Sequence, residues 1–96
     1  MKAYLALALA AVASIGMTAS PQTVSAGEFA AMDCGELWVA RNQIYKDNGY
    51  CFTSARAITY FGNGGCQYHS TGALPLSSYD RTLLRRIKES ESGQRC

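Results

Sequence analysis

The sequence predicts an all-α fold: a small disulfide-stapled three-helix domain with ordered loops. Two kinds of observation predict it. Three stretches carry helix start and stop signals around an apolar period of 3.6 residues. Four cysteines, Cys34, Cys51, Cys66 and Cys96, fall at the boundaries of those stretches. The chain has 96 residues and a formal net charge of +2, which bounds it to one domain.

Residues 1–26 read as a cleaved export signal, leaving 27–96 as the domain. Met1-Lys2 is a short positive start, Ala3 to Met17 an uncharged apolar run, and Val24-Ser25-Ala26 a small-x-small cleavage site. The run is about 15 residues, short of the roughly 20 that span a membrane. No stable span is expected after cleavage. Removal of Lys2 from nine Lys and Arg leaves eight against seven Asp and Glu. That near-neutral balance argues against a nucleic-acid partner.

The first helix begins at Cys34 and covers Leu37 to Asn48. Asp33 suits its N-cap, with Glu36 completing a capping box, and Gly49 suits the position just past its end. At 100° per residue, Cys34, Leu37, Trp38, Ile44 and Tyr45 share one side. Arg41 projects into the middle of that apolar stripe, where a guanidinium needs a carboxylate or several carbonyl oxygens. It is read either as an internal tie or as an anchor for an anionic ligand. The second helix, Thr53 to Phe61, is capped by Thr53 or Ser54 and ended by Gly62, with Ile58 and Phe61 facing inward beside Ala55 or Ala57. Asn63-Gly64-Gly65 is a turn, and Gln67 to Leu76 an ordered loop with Tyr68 packing back. The third helix opens on Ser77 and Asp80 in capping-box spacing, with Tyr79, Leu83, Leu84 and Ile87 inward and Arg81, Arg85 and Lys88 on the opposite face. Asp80, at the edge of that stripe, is the carboxylate expected to pair with Arg41.

An even cysteine count in a short exported chain argues for two disulfides. Cys51 and Cys66 flank the second helix, and Cys34 and Cys96 begin the first helix and follow the last, so the expected pairs are Cys51–Cys66 and Cys34–Cys96. They close loops of about 15 and about 62 residues. Cys66-x-x-His69 has the spacing of a zinc ligand pair, but Cys-x-x-Cys is missing and export favours oxidation, so no metal or cofactor is predicted.

The run Arg41-Asn42-Gln43-Ile44-Tyr45, followed by Gly49, Tyr50 and Phe52, resembles the YARHG domain, a small extracellular bacterial domain. Leu37, Arg41, Asn42, Ile44, Tyr45, Gly49, Tyr50 and Phe52 match the family pattern. Lys46-Asp47-Asn48 stands where the name-giving Ala-Arg-His would be, so roles tied to those residues do not transfer. Gln67-Tyr68 likewise stands where the family often carries Trp-Tyr. The resemblance implies location and fold and carries no activity.

Chemistry has few candidates. His69 is the only histidine and lies in a loop without a nucleophile or orienting group at usable spacing. No phosphate-binding glycine loop follows a strand. The expectation is a non-enzymatic, secreted (periplasmic or extracellular) envelope-associated module that binds a cell-wall or protein partner. Its ligand-binding candidates are Arg41, Asn42, Tyr45 and Tyr50, with the loop residues Tyr68 and His69. The alternatives are a small secreted enzyme or a protease-inhibitor-like protein presenting the Asn63 to Leu76 segment, and a structural protein without a ligand. The ligand and the oligomeric state are not specified by the sequence.

Overall fold

Helix formation follows the capping signals. The computed structural model describes residues 26–96, so the export signal expected over 1–26 lies, apart from its last residue, outside the described residues. The described residues form four α-helices and no strand: α1 (Ala26–Ala30), α2 (Cys34–Asp47), α3 (Ala55–Phe61) and α4 (Ser78–Gly93), with a 3-10 turn at Thr71–Ala73. The fold is all-α as predicted, with α1 added to the three expected helices. A five-residue helix holds too few turns for a period to show in sequence. Tertiary contact stabilises it instead: Phe29, 3% exposed, clusters with Leu37 and Ile87.

Both capping boxes form. The Glu36 N–H donates to Asp33 Oδ1 at 2.8 Å and the Asp33 N–H to Glu36 Oε1 at 2.9 Å. In α4, the Asp80 N–H donates to Ser77 Oγ at 3.0 Å and the Ser77 N–H returns to Asp80 Oδ2 at 3.3 Å. Ser54 caps α3. Each satisfies donors that the first helical turn otherwise leaves orphaned.

Helix α4 packs on α1 and α2, and α3 packs on α2. Two apolar clusters result. One joins Phe29, Leu37 and Ile87; the other joins Tyr45, Phe52, Ala57, Leu74 and Leu84, and Ile44 packs against both. Three expected inward residues are not in the core. Cys34 is exposed. Ile58 is 41% exposed, because a two-turn helix offers one i, i+4 pair to its neighbour, here Ala57 and Phe61. Tyr79 is 54% exposed, because α2 ends opposite Asp80 and leaves no helix for Tyr79 to pack on.

The disulfides are Cys34–Cys96 and Cys51–Cys66. The first sets α2 and α4 antiparallel by joining the start of one to the end of the other. At the opposite end, Asn48 Nδ2 donates to Asp80 Oδ2 at 3.3 Å. The second disulfide holds the loop after α3 against the segment after α2. There the Cys51 N–H donates to the Tyr68 carbonyl at 2.7 Å, and the Gln67 and Tyr68 N–H groups donate to the Gly49 carbonyl at 2.8 and 3.0 Å. Gly49 has φ +91°, and a Cβ there would lie 3.2 Å from the Tyr68 ring, so both conformation and space demand glycine.

Asn63 completes this loop with a reciprocal pair. The Phe52 N–H donates to Asn63 Oδ1 at 2.7 Å, and Asn63 Nδ2 donates to the Phe52 carbonyl at 2.9 Å. Phe52 is 4% exposed, so its backbone groups lack easy access to water. Asn63→Ala leaves both unpaired and is expected to destabilise by about 2 kcal/mol. Urea unfolding checks it; a midpoint equal to the parent's would show that water replaces the amide.

Candidate functional site

Four structural segments meet around a cleft of about 510 Å3. Helix α2 contributes Trp38, Arg41, Asn42 and Tyr45. The capped entry to α3 contributes Tyr50, Phe52 and the hydroxyls of Thr53 and Ser54. Lys88 and Glu91 of α4 and Thr71 of the 3-10 turn close the rim. The volume lies within the range of small-ligand sites.

Arg41 is the polar centre. Its Nε donates to Glu91 Oε1 at 2.9 Å and to Oε2 at 3.2 Å, and its Nη2 donates to Oε2 at 3.1 Å. The two side chains are 26% and 15% exposed, so the pair is neither at the surface nor fully enclosed. Burial would lower the Arg41 pKa, but the hydrogen bond and charge of Glu91, with the Tyr45 hydroxyl, outweigh it and raise the value. Arg41 is therefore charged at any physiological pH. Its third guanidinium nitrogen, Nη1, is not engaged by Glu91.

The Arg41 partner corrects the expectation of Asp80. The register that Cys34–Cys96 imposes puts Asp80 beside Asn48 and Glu91 beside Arg41. Asp80 lies eleven positions before Glu91 on α4, roughly 16 Å along the axis at 1.5 Å per residue. Its carboxylate instead accepts from Ser77 and Asn48.

Asn42 is 6% exposed and its Nδ2 donates to the Trp38 carbonyl at 2.9 Å, which orients its amide on the cleft wall. Tyr45, 7% exposed, and half-buried Tyr50 meet with ring centroids 5.8 Å apart, and Tyr50 meets Phe52 at 5.1 Å, both edge to face. The chain of rings continues through Phe61 to Trp38. The Arg56 guanidinium lies 3.7 Å over the Trp38 ring, so that face is taken by a cation of the protein itself.

Four of the six expected ligand-binding residues, Arg41, Asn42, Tyr45 and Tyr50, thus line one cleft. The other two do not. Tyr68 borders a separate recess with Lys46, Gly49 and Pro75, and His69 is exposed beside it. Tyr68 is held away from the cleft because the backbone at Gln67 and Tyr68 is tied to Gly49 and Cys51, while the same loop reaches the rim further on, at Thr71. Sequence reading missed Thr53, Ser54 and Thr71 as cleft-lining hydroxyls, and also Lys88 and Glu91. The i, i+3 spacing of the last two was the only local signal that they share a face. Cys66 is bonded to Cys51, so Cys66-x-x-His69 has no thiolate to offer a metal. Among the described residues no helix is long and apolar enough to cross a membrane.

The fold and site define a small all-α, doubly disulfide-bonded domain with one wall of its cleft formed by the Arg41 motif helix. The YARHG domain matches residues 14–92, and the chain belongs to that family. The match begins at Ser14, upstream of the expected boundary at Gly27. No curated protein and no solved structure matches the chain.

Proposed function

We propose that this protein is an exported, non-catalytic module of the cell envelope that binds a cell-wall or envelope partner through the cleft around Arg41. The observation that carries this reading is that Arg41, Asn42 and Tyr45 of α2 and Tyr50, three residues past its end, line one concave surface with the hydroxyl groups of Thr53, Ser54 and Thr71 at its edge. A charged anchor, an oriented amide and aromatic edges are what recognition of a polar ligand uses. Two disulfides and the leader-like start support export. The non-catalytic reading is supported by the position of His69 outside the cleft and the oxidation of all four cysteines.

Co-sedimentation of the oxidised protein with purified cell-wall sacculi tests this. Thr71 is exposed at the cleft rim, so Thr71→Trp obstructs the cleft without disturbing the core. The expected result is saturable binding that Thr71→Trp weakens at least about tenfold at unchanged melting temperature, as loss of a central contact region does. Binding indifferent to Thr71→Trp, or no saturable binding, overturns the reading.

A further inference from the structure

Resting on that reading of the cleft, we infer that the cleft and the groove along α4 form one continuous track for an acidic glycan chain, with Lys88 at the junction. Lys88 lines both the cleft and a second concavity of about 550 Å3. Leu76 and Leu84 contribute apolar surface to this groove, and Arg81 and Arg85 line it beside Lys88. These three cations stand at i, i+4 and i+7, the spacing of one helix face, and span roughly 10 Å along α4. The Arg81 guanidinium is held by its Nη1, which donates to the Leu76 carbonyl at 2.7 Å.

Charge favours an anion along this path. Among the described residues that line cleft and groove, Arg41, Arg81, Arg85 and Lys88 face only Glu89 and Glu91. Glu91 is committed to Arg41, and Glu89 reaches only Arg85, loosely, at 3.9 Å between exposed groups. Lys88 and Arg81 have no ion-pair partner among the described residues. The remaining surface selects the type of anion. Hydroxyls at Thr53, Ser54 and Thr71 and the half-buried Tyr50 ring suit a chain of polar rings with an apolar face. A lipid surface would call for exposed apolar side chains beside the cations, and Ile58, Tyr60 and Tyr79 line neither concavity. The near-neutral domain lacks the charge density that nucleic acids select. A linear glycan bearing carboxylates fits both halves: one ring in the cleft, its neighbours along Lys88, Arg85 and Arg81.

The test titrates the oxidised full chain, followed by amide NMR shifts, with tetragalacturonate and with a neutral galactose tetramer of equal length. The expected result is saturable binding of the acid, with shifts at Tyr50, Lys88 and Arg81, and binding of the neutral tetramer at least tenfold weaker. Lys88→Gln should weaken the acid up to about fivefold and flatten its salt dependence, the scale of one exposed ion contact, while Lys88→Arg should restore it. Equal binding of acidic and neutral tetramers overturns the inference, as does binding of neither. Tighter binding to phosphatidylglycerol vesicles or to a polyglutamate peptide overturns it as well. If the neutral tetramer binds and Thr71→Trp abolishes that binding, the cleft still recognises glycans and only the acidic track fails. If sacculus binding ignores Thr71→Trp, the cleft reading itself fails.

Discussion

Replacing both Cys34 and Cys96 by alanine is expected to destabilise the domain by about 4 kcal/mol, the larger of the two loop-closure effects. The bond closes a loop of 62 residues. Loop-closure entropy for that length gives roughly 4 kcal/mol, against roughly 3 for the 15-residue loop of Cys51–Cys66. A domain of this size has a total stability of roughly 4–10 kcal/mol, from 0.05–0.15 kcal/mol per residue, so the change removes a large share of it. The substitution is a clean probe because Cys34 and Cys96 are both exposed and alanine removes little packing. Cys51, by contrast, is 6% exposed, and its replacement adds a packing loss to the entropic one. The last turn of α4 should loosen as well, since beyond this bond the chain end is held to Met32 through Gln94 Nε2 at 2.7 Å. Thermal unfolding followed by circular dichroism checks the prediction. A melting temperature within a few degrees of the oxidised parent would show that the apolar clusters and the Arg41–Glu91 and Asn48–Asp80 contacts fix α4 on α2 without the bond.

Arg41→Ala and Glu91→Ala are each expected to cost about 2–3 kcal/mol, and the double substitution clearly less than their sum. Removal of one partner strands a partly buried charge that three hydrogen bonds had satisfied. With side-chain exposures of 26% and 15%, some water reaches the survivor, so the cost falls below that of a fully enclosed pair. The shortfall from additivity measures the coupling. A second pair of changes, Arg41→Met with Glu91→Leu, replaces the ion pair by apolar groups of similar volume and should be nearly neutral for stability. That variant separates the two roles of Arg41. If it is stable but no longer binds sacculi, the guanidinium recognises the ligand. If it binds as the parent does, Arg41 is an internal tie and recognition belongs to the rest of the cleft. Urea unfolding of the four proteins of the cycle gives the energies; strict additivity would show that Arg41 and Glu91 do not stabilise one another in solution.

The helices were legible because their signals are local. Asp33 with Glu36, Ser77 with Asp80, and Gly49 and Gly62 past the helix ends each act over three or four residues, and every one appears in the structure at its expected place. Both disulfides were legible because each cysteine sits at a boundary that the caps had already marked. The family was legible in the scaffold positions of α2. The location of Ile58 and Tyr79 was not, because a period assigns a residue to a face without saying whether another element covers that face. Helix α1 was not, because Phe29, which anchors it, is held by Leu37 and Ile87 from other helices.

The sequence alone determined the all-α class, the caps of the three expected helices, the cysteine pairing and the apolar stripe that Arg41 interrupts. Only the tertiary structure decided the partner of Arg41, the separation of Tyr68 and His69 from the cleft, and the addition of Lys88, Thr71 and the Thr53–Ser54 hydroxyls to it. The reason is physical. Caps and periods depend on backbone geometry shared by residues three or four apart, whereas a cleft depends on the register between elements. Here a shift of one helical turn, roughly 5 Å, between α2 and α4 would give Arg41 a different partner while leaving every cap intact.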